Sequence, residues 1–236
     1  MNLLKLFAPV RLVGKHDYRA YMTFFILVVY MCFFGWEVVL TSTSGAPIET
    51  FLPEYAFVPS EIGQVPFTEL IVDSVRGLFM TDSFFLLVVN MMYLWIFGPL
   101  VEKFLGFRNY FILFLLAGIG GFLLSAIAMT NDTPLYGPSS AISGVIAAFM
   151  VLYPTKRVEI VFSPLLFRRF DIPAFFFGFI YLGFQLFLEG EGPLSGNFAP
   201  IWDEFGGFLV GFIFIFIATM FKAAPKTDPL EHLDKD

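Results

Sequence analysis

The sequence contains little charge. Only 14% of its 236 residues are Asp, Glu, Lys or Arg, whereas 58% are hydrophobic; an average soluble domain is ~25% charged. Long apolar stretches with almost no charge exclude an ordinary soluble domain and predict an integral membrane protein in contact with the lipid bilayer. The net charge of −6, with no dominant basic patch, argues against nucleic acid as a partner.

Cysteine and histidine are equally scarce. Cys32 is the single cysteine, so the chain forms no internal disulfide. The two histidines, His16 and His232, lie in polar end segments. Because the sequence has no Cys/His cluster, we expect no metal and no cofactor. The position of the histidines also restricts catalysis, since histidine is the most frequent general base.

Apolar runs predict an all-α membrane protein with six transmembrane helices. The predicted spans are residues 21–40, 83–101, 107–129, 139–153, 172–188 and 204–221. Residues 21–221 would then form one transmembrane domain, between an N-terminal arm at 1–20 and a C-terminal tail at 222–236. The tail mixes charges with Pro225 and Pro229, which is typical of a disordered end.

Charges in the connections alternate along the chain. Basic residues occupy the N-terminal arm and the connections after spans two and four: Lys5, Arg11, Lys15, Arg19, Lys103, Arg108, Lys156, Arg157, Arg168 and Arg169. Acidic residues occupy the other connections: Glu49, Glu54, Glu61, Glu69, Asp73, Asp132, Glu189 and Glu191. Because Lys and Arg favour the cytoplasmic side, both termini are predicted to be cytoplasmic.

The fourth span is too short to cross a bilayer. Its 15 residues end before Pro154 and extend only ~22 Å, against a hydrocarbon core of ~30 Å. The non-helical stretch 131–138 must therefore reach below the membrane surface, where irregular backbone needs protein or water around it. Ser139 would then lie at the mouth of an outward-facing recess, as a candidate nucleophile.

Two further polar residues are predicted near the same outer ends of the spans. Asn90 lies early in span two and Glu204 begins span six. Small residues recur every four positions in spans four and six, which favours close helix packing between them. These residues are Ser140, Gly144 and Ala148 in span four, and Gly207 and Gly211 in span six.

Several motifs, from about Tyr55 to Gly211, are similar in order and spacing to those of the rhomboid family of intramembrane serine proteases. They are residues 55–59 (YAFVP), residues 90–98 (NMMYLWIFG) with Glu102 and Gly106, residues 137–140 (GPSS), Tyr153-Pro154, residues 172–174 (IPA), Gln185, Gly206-Gly207 and Gly211. The resemblance implies a six-helix rhomboid-like bundle. It also implies that Ser139 occupies the nucleophile position, that Gly137 belongs to its motif, and that Asn90 and the backbone at Ser139 stabilise the oxyanion.

The chain departs from the family at three positions. Glu204 stands where the family has its catalytic histidine, Leu86 where it has a second histidine, and Ser140 where it has the glycine after the nucleophile. A serine needs a base within hydrogen-bond reach to attack a carbonyl. His16 and His232 are predicted to lie on the opposite side of the membrane, so neither can provide it.

Two functional hypotheses follow. In the first, the protein is a pseudoprotease that binds single-span transmembrane proteins through the recess without cutting them. In the second, it is an active intramembrane serine endopeptidase in which Glu204 is a non-standard base for Ser139. We expect a bacterial plasma membrane as its location, while oligomeric state stays open. A transporter is disfavoured, because no pair of interrupted spans suggests inverted repeats.

Each candidate residue also has an ordinary structural interpretation. Ser139 could be a helix N-cap, Asn90 could bridge two helices, and Glu204 could be a solvated residue at the rim. Glu102, near the cytoplasmic face, is most simply explained by contacts at a helix end.

Overall fold

A computed structural model of the chain describes residues 7–12, 20–47, 50–81, 83–128, 133–162, 168–188 and 199–221. Helices dominate these residues. The helices are α1 (Tyr21–Ser44), α2 (Leu52–Tyr55), α3 (Phe67–Leu78), α4 (Phe84–Leu105), α5 (Phe107–Ala128), α6 (Ser139–Leu152), α7 (Ala174–Leu188) and α8 (Ala199–Phe221). The strands are β1 (Phe7–Leu12), β2 (Arg157–Phe162) and β3 (Arg168–Pro173). The predicted tail at 222–236 lies outside the described residues.

Within the described residues, four helices are long and apolar enough to cross a membrane: α1, α4, α5 and the segment Trp202–Phe221 of α8. Two shorter apolar segments, Ser139–Leu152 and Ala174–Gly183, belong to α6 and α7. The chain is therefore an integral membrane protein that is mostly helical. The 14 residues of α6 correspond to ~21 Å, which confirms that this helix is shorter than the hydrocarbon core.

The structure corrects parts of the sequence interpretation. The last helix begins at Ala199 rather than at Glu204, which places Glu204 in its second turn. Helix α3, which buries Leu70, Ser74 and Leu78, was not predicted from the sequence. Neither were the three strands, which are short and lie between apolar helices.

The strands form an antiparallel sheet in the order β1-β2-β3. In the first pair, Phe7 lies opposite Phe162 and Leu12 opposite Val158, with a register shift between Pro9 and Arg11. In the second pair, Arg157 lies opposite Pro173. The N-terminal arm and the connection between α6 and α7 therefore lie at the same end of the bundle, as the charge pattern predicts for two segments on one side of a membrane.

At the other end of the bundle, two connections meet through backbone hydrogen bonds. The Phe57 and Leu135 backbones bond reciprocally, at 3.1 Å and 2.8 Å, and the Gly137 N–H donates to the Gly77 carbonyl at 2.8 Å. The irregular backbone that leads into α6 is thus satisfied by protein. This arrangement is what non-helical chain at membrane depth requires.

The α1 helix is capped by a residue from another helix. The side chain of its N-cap residue, Ala20, makes no capping hydrogen bond. Instead, the buried carboxylate of Glu102, on α4, accepts bonds from the Met22 and Thr23 N–H groups and from Thr23 Oγ1, at 2.8–2.9 Å. Glu102 therefore makes the expected helix-end contact, and it joins α1 to α4.

The centre of the bundle is α6, which packs against α4, α5, α7 and α8. Every residue from Ser140 to Met150 is buried. On α8, Gly207 lies against the Ser140 carbonyl, and Gly211 lies against the Gly144 backbone. The prediction that small residues bring these two spans together is confirmed.

Candidate functional site

The packing of α6 on α8 fixes the level of Glu204. Gly207 of α8 lies against Ser140 of α6, and Gly211 lies against Gly144. From the first contact to the second, both helices advance by four residues. The two helices therefore run in the same direction with matched register. Glu204 precedes Gly207 by three residues, or ~4.5 Å along the axis. This places Glu204 level with the chain that enters α6, immediately before Ser139.

Ser139 is the first residue of α6 and is half-buried. The N-cap is Pro138, and the structure shows no side-chain capping bond there, so the interpretation of Ser139 as the N-cap is wrong. The preceding Gly137 has φ = 101°, a conformation that favours glycine. This conformation turns the chain after the hydrogen bond between Gly137 and Gly77, so that α6 begins at Ser139.

The two serines that follow face other helices. Ser140 Oγ donates to the Gly118 carbonyl of α5 at 3.4 Å, and Ser140 is fully buried. Ser143 lies one turn after Ser139, and its hydroxyl bonds to the Tyr181 hydroxyl of α7 at 3.2 Å. Ser140 therefore joins α6 to α5, whereas Ser143 joins α6 to α7.

An aromatic pair forms the neighbouring wall. The rings of Tyr93 on α4 and Tyr181 on α7 meet edge to face, with their centroids 5.3 Å apart. Tyr93 also interacts electrostatically with Glu204. Through Ser143, Tyr181, Tyr93 and Glu204, the structure brings together polar groups from α6, α7, α4 and α8.

Glu204 is buried, with 2% of its surface exposed, and its neighbour Asp203 is 5% exposed. The interpretation of Glu204 as a solvated rim residue is therefore wrong. The physical reason is the early start of α8, because a turn of helix precedes these carboxyl groups and carries them inside the bundle.

The remaining predicted residues lie on α4. Asn90 is half-buried and precedes Tyr93 by three residues, so both lie on one helical face. Leu86 is 49% exposed. The position that corresponds to the second histidine thus carries an apolar side chain that points out of the core, and it provides no hydrogen-bond donor.

Sequence reasoning missed three hydroxyl groups of this site, those of Tyr93, Ser143 and Tyr181. Two of them had a detectable signal. Ser143 follows Ser139 by one helical turn, and Tyr93 follows Asn90 by three residues within the same motif. Tyr181 had no signal, because only tertiary packing places it opposite Ser143.

Among the described residues, which include neither histidine, the site offers a hydroxyl at the start of α6 and a buried carboxyl level with the chain that enters this helix. Such a pair can form hydrogen bonds with a polypeptide backbone. Acyl transfer would require more, because a serine hydroxyl needs a base that accepts its proton.

Comparison with protein families identifies this arrangement. A family model described as Rhomboid domain matches residues 74–221, which is more than half of the chain. The match includes Asn90, Ser139 and Glu204 and leaves the motif at residues 55–59 outside. No curated protein matches the chain. The matched length, together with the packing of α6 on α8 and the chain entering α6, shows that this protein belongs to the rhomboid family.

Proposed function

We propose that the protein is a rhomboid pseudoprotease, inactive or very slow in cleavage, that binds the transmembrane helices of single-span proteins. The observation that carries the proposal is Glu204. A buried carboxyl occupies the position at which the family resemblance expects the catalytic histidine, and it lies level with the start of α6.

A carboxyl group is poorly suited to replace imidazole there. A carboxylate is ordinarily a weaker base than imidazole, so it accepts the proton of Ser139 less readily. Leu86 supplies no donor for the oxyanion, which leaves Asn90 and the backbone at Ser139. Loss of one such donor alone typically lowers the rate ~10²–10³-fold.

The proposed architecture has six spans, with α6 and α7 as the two short ones and both termini in the cytoplasm, in a bacterial plasma membrane. Two observations support this orientation. The basic N-terminal arm and the basic connection after α6 share one sheet, whereas the acidic connections after α1 and α5 meet at the other end. The recess at Ser139 would then open outward, toward the ends of client helices.

The experiment is co-expression with a defined library of single-span reporter proteins that carry a tag on each side of the span. We expect intact reporters to co-purify with the native chain and with Ser139→Ala. Gly207→Leu should lose them, because a side chain there meets the Ser140 carbonyl and separates α8 from α6. Gly35→Ala is the matched control, since that glycine has open space around it.

Reporter fragments that appear with the native chain and disappear with Ser139→Ala would contradict the proposal. That result would instead support the second hypothesis, an active endopeptidase in which Glu204 serves Ser139 as the base. Failure of every reporter to co-purify, with no fragments formed, would contradict both hypotheses.

A further inference from the structure

A cavity opens at the end of the bundle opposite Ser139. Its volume is about 350 Å³, within the ~300–1,000 Å³ range of small-molecule sites. The lining comes from the end of α4, the start of α5 and the last turns of α8. It includes Phe104, Leu105, Asn109, Phe214, Ile217 and Phe221. One amide therefore stands at the edge of a wall that is otherwise apolar.

Two exposed basic residues are adjacent in sequence to residues that line this cavity. Lys103 directly precedes the lining residue Phe104, and Arg108 directly precedes Asn109; both basic residues are exposed. The nearest acid on α4, Glu102, is buried and accepts its three hydrogen bonds at the start of α1. These bonds hold the Glu102 carboxylate at the first turn of α1.

We propose that the cavity binds an anionic glycerophospholipid from the leaflet on the side of the β-sheet. One acyl chain lies against Phe104, Phe214 and Ile217, and the phosphate lies between Lys103 and Arg108, within reach of the Asn109 amide. The apolar wall selects for hydrocarbon, and the two cations select for an anionic headgroup. Basic sites between transmembrane helices bind such headgroups by the same chemistry. This site is independent of Ser139 and of the proposed binding of client helices.

The test is native mass spectrometry of the full-length protein with equimolar phosphatidylglycerol and phosphatidylcholine that carry identical acyl chains. We expect one phosphatidylglycerol to be retained about 30-fold over phosphatidylcholine, since each of the two nearby cations contributes ~1 kcal/mol, or about fivefold, to binding an anionic lipid. Arg108→Ala and Lys103→Ala should each reduce this preference about fivefold. Arg76→Ala, an exposed arginine at the opposite end of the bundle, should leave it unchanged.

Ala218→Trp tests the acyl chain, because Ala218 also lines the cavity and a larger side chain fills it. We expect this variant to lose both lipids, whereas Ala128→Trp, an exposed position at the far end of α5, should retain them. Equal retention of the two lipids by the native chain would overturn the proposal. So would a preference that survives both Arg108→Ala and Lys103→Ala; these exposed substitutions do not depend on whether Ala218→Trp folds.

Discussion

Two buried glutamates at opposite ends of the bundle have different environments. Glu102 is fully buried and accepts three hydrogen bonds at the first turn of α1, all at 2.8–2.9 Å. Glu204 is almost as buried, but it lies level with the chain that enters α6, where the family resemblance expects an imidazole. The first carboxyl joins two helices, while the second stands at the position that the resemblance assigns to a catalytic histidine.

The packing that forms the rhomboid fold is separate from the side chains of the candidate site. The contacts that hold α6 to α8 are made by the Ser140 carbonyl, the Gly144 backbone and the small residues opposite them. None of these contacts involves the side chains of Ser139 or Glu204. The fold therefore tolerates a change at the recess that it would not tolerate at Glu102.

The largest expected effect is at Glu102. Glu102→Ala leaves the buried N–H and hydroxyl groups of Thr23 and the partly buried N–H group of Met22 without their acceptor. We expect a loss of about 3 kcal/mol or more in the free energy of unfolding, measured by titration with sodium dodecyl sulfate. Glu102→Gln, which retains one acceptor oxygen, should lie between this variant and the native chain. Native stability in Glu102→Ala would show that the cap is dispensable.

The second largest effect on stability is expected where α8 packs on α6. Gly211→Ala places a methyl group against the Gly144 backbone, and such overpacking costs about 1–3 kcal/mol. Gly35→Ala, in open space on α1, should be neutral or slightly stabilising. Thermal unfolding of both variants in detergent measures the contrast, and equal melting temperatures would count against the close approach of the two helices.

A smaller effect is expected at Tyr181. Tyr181→Phe removes the 3.2 Å bond to Ser143 and keeps the ring contact with Tyr93. Hydrogen bonds between transmembrane helices average ~0.6 kcal/mol, so the free energy of unfolding should fall by about that amount. Tyr21→Phe, at an exposed phenol, is the matched control and should not change it. A Tyr181→Phe variant as stable as Tyr21→Phe would show that the bond between Tyr181 and Ser143 does not stabilise the protein.

The smallest effect on stability is expected at Leu86. This side chain is 49% exposed, so Leu86→His should leave thermal unfolding unchanged. By itself it should also leave cleavage of the single-span reporters undetectable, because a donor at this position does not provide a base. Cleavage gained by Leu86→His alone would show that the oxyanion site, rather than the base, limits the native chain.

Much of this fold was predictable because charge is excluded from hydrocarbon. The charge-poor runs located every long helix, and the small residues of α6 and α8 identified a true contact. The sheet was not predicted, because β1 pairs with a strand some 150 residues away and its few residues carry no local signal for that partner. The available signs were two alternations of polar and apolar residues, at 157–160 in β2 and at 169–172 in β3.

The candidate site was predictable only in part from the sequence. Ser139, Asn90 and Glu204 came from motif positions. The burial of Glu204 was not predicted, because it depends on where α8 begins. The residues from Ala199 to Trp202 precede the predicted span. Helix ends are set by capping and packing, which a hydrophobic pattern locates poorly. The role of Glu102 at α1 likewise required tertiary structure.

The most direct test of the account is labelling with a fluorophosphonate, which reacts with an activated serine, in the native chain, Ser139→Ala, Glu204→His and the double variant Ser139→Ala/Glu204→His. The account predicts no labelling of the native chain and labelling gained in Glu204→His, lost again in the double variant. This result would mean that the recess is intact and that only the base is missing. Labelling of the native chain that disappears in Ser139→Ala would mean that the serine is activated without histidine, which contradicts the pseudoprotease proposal.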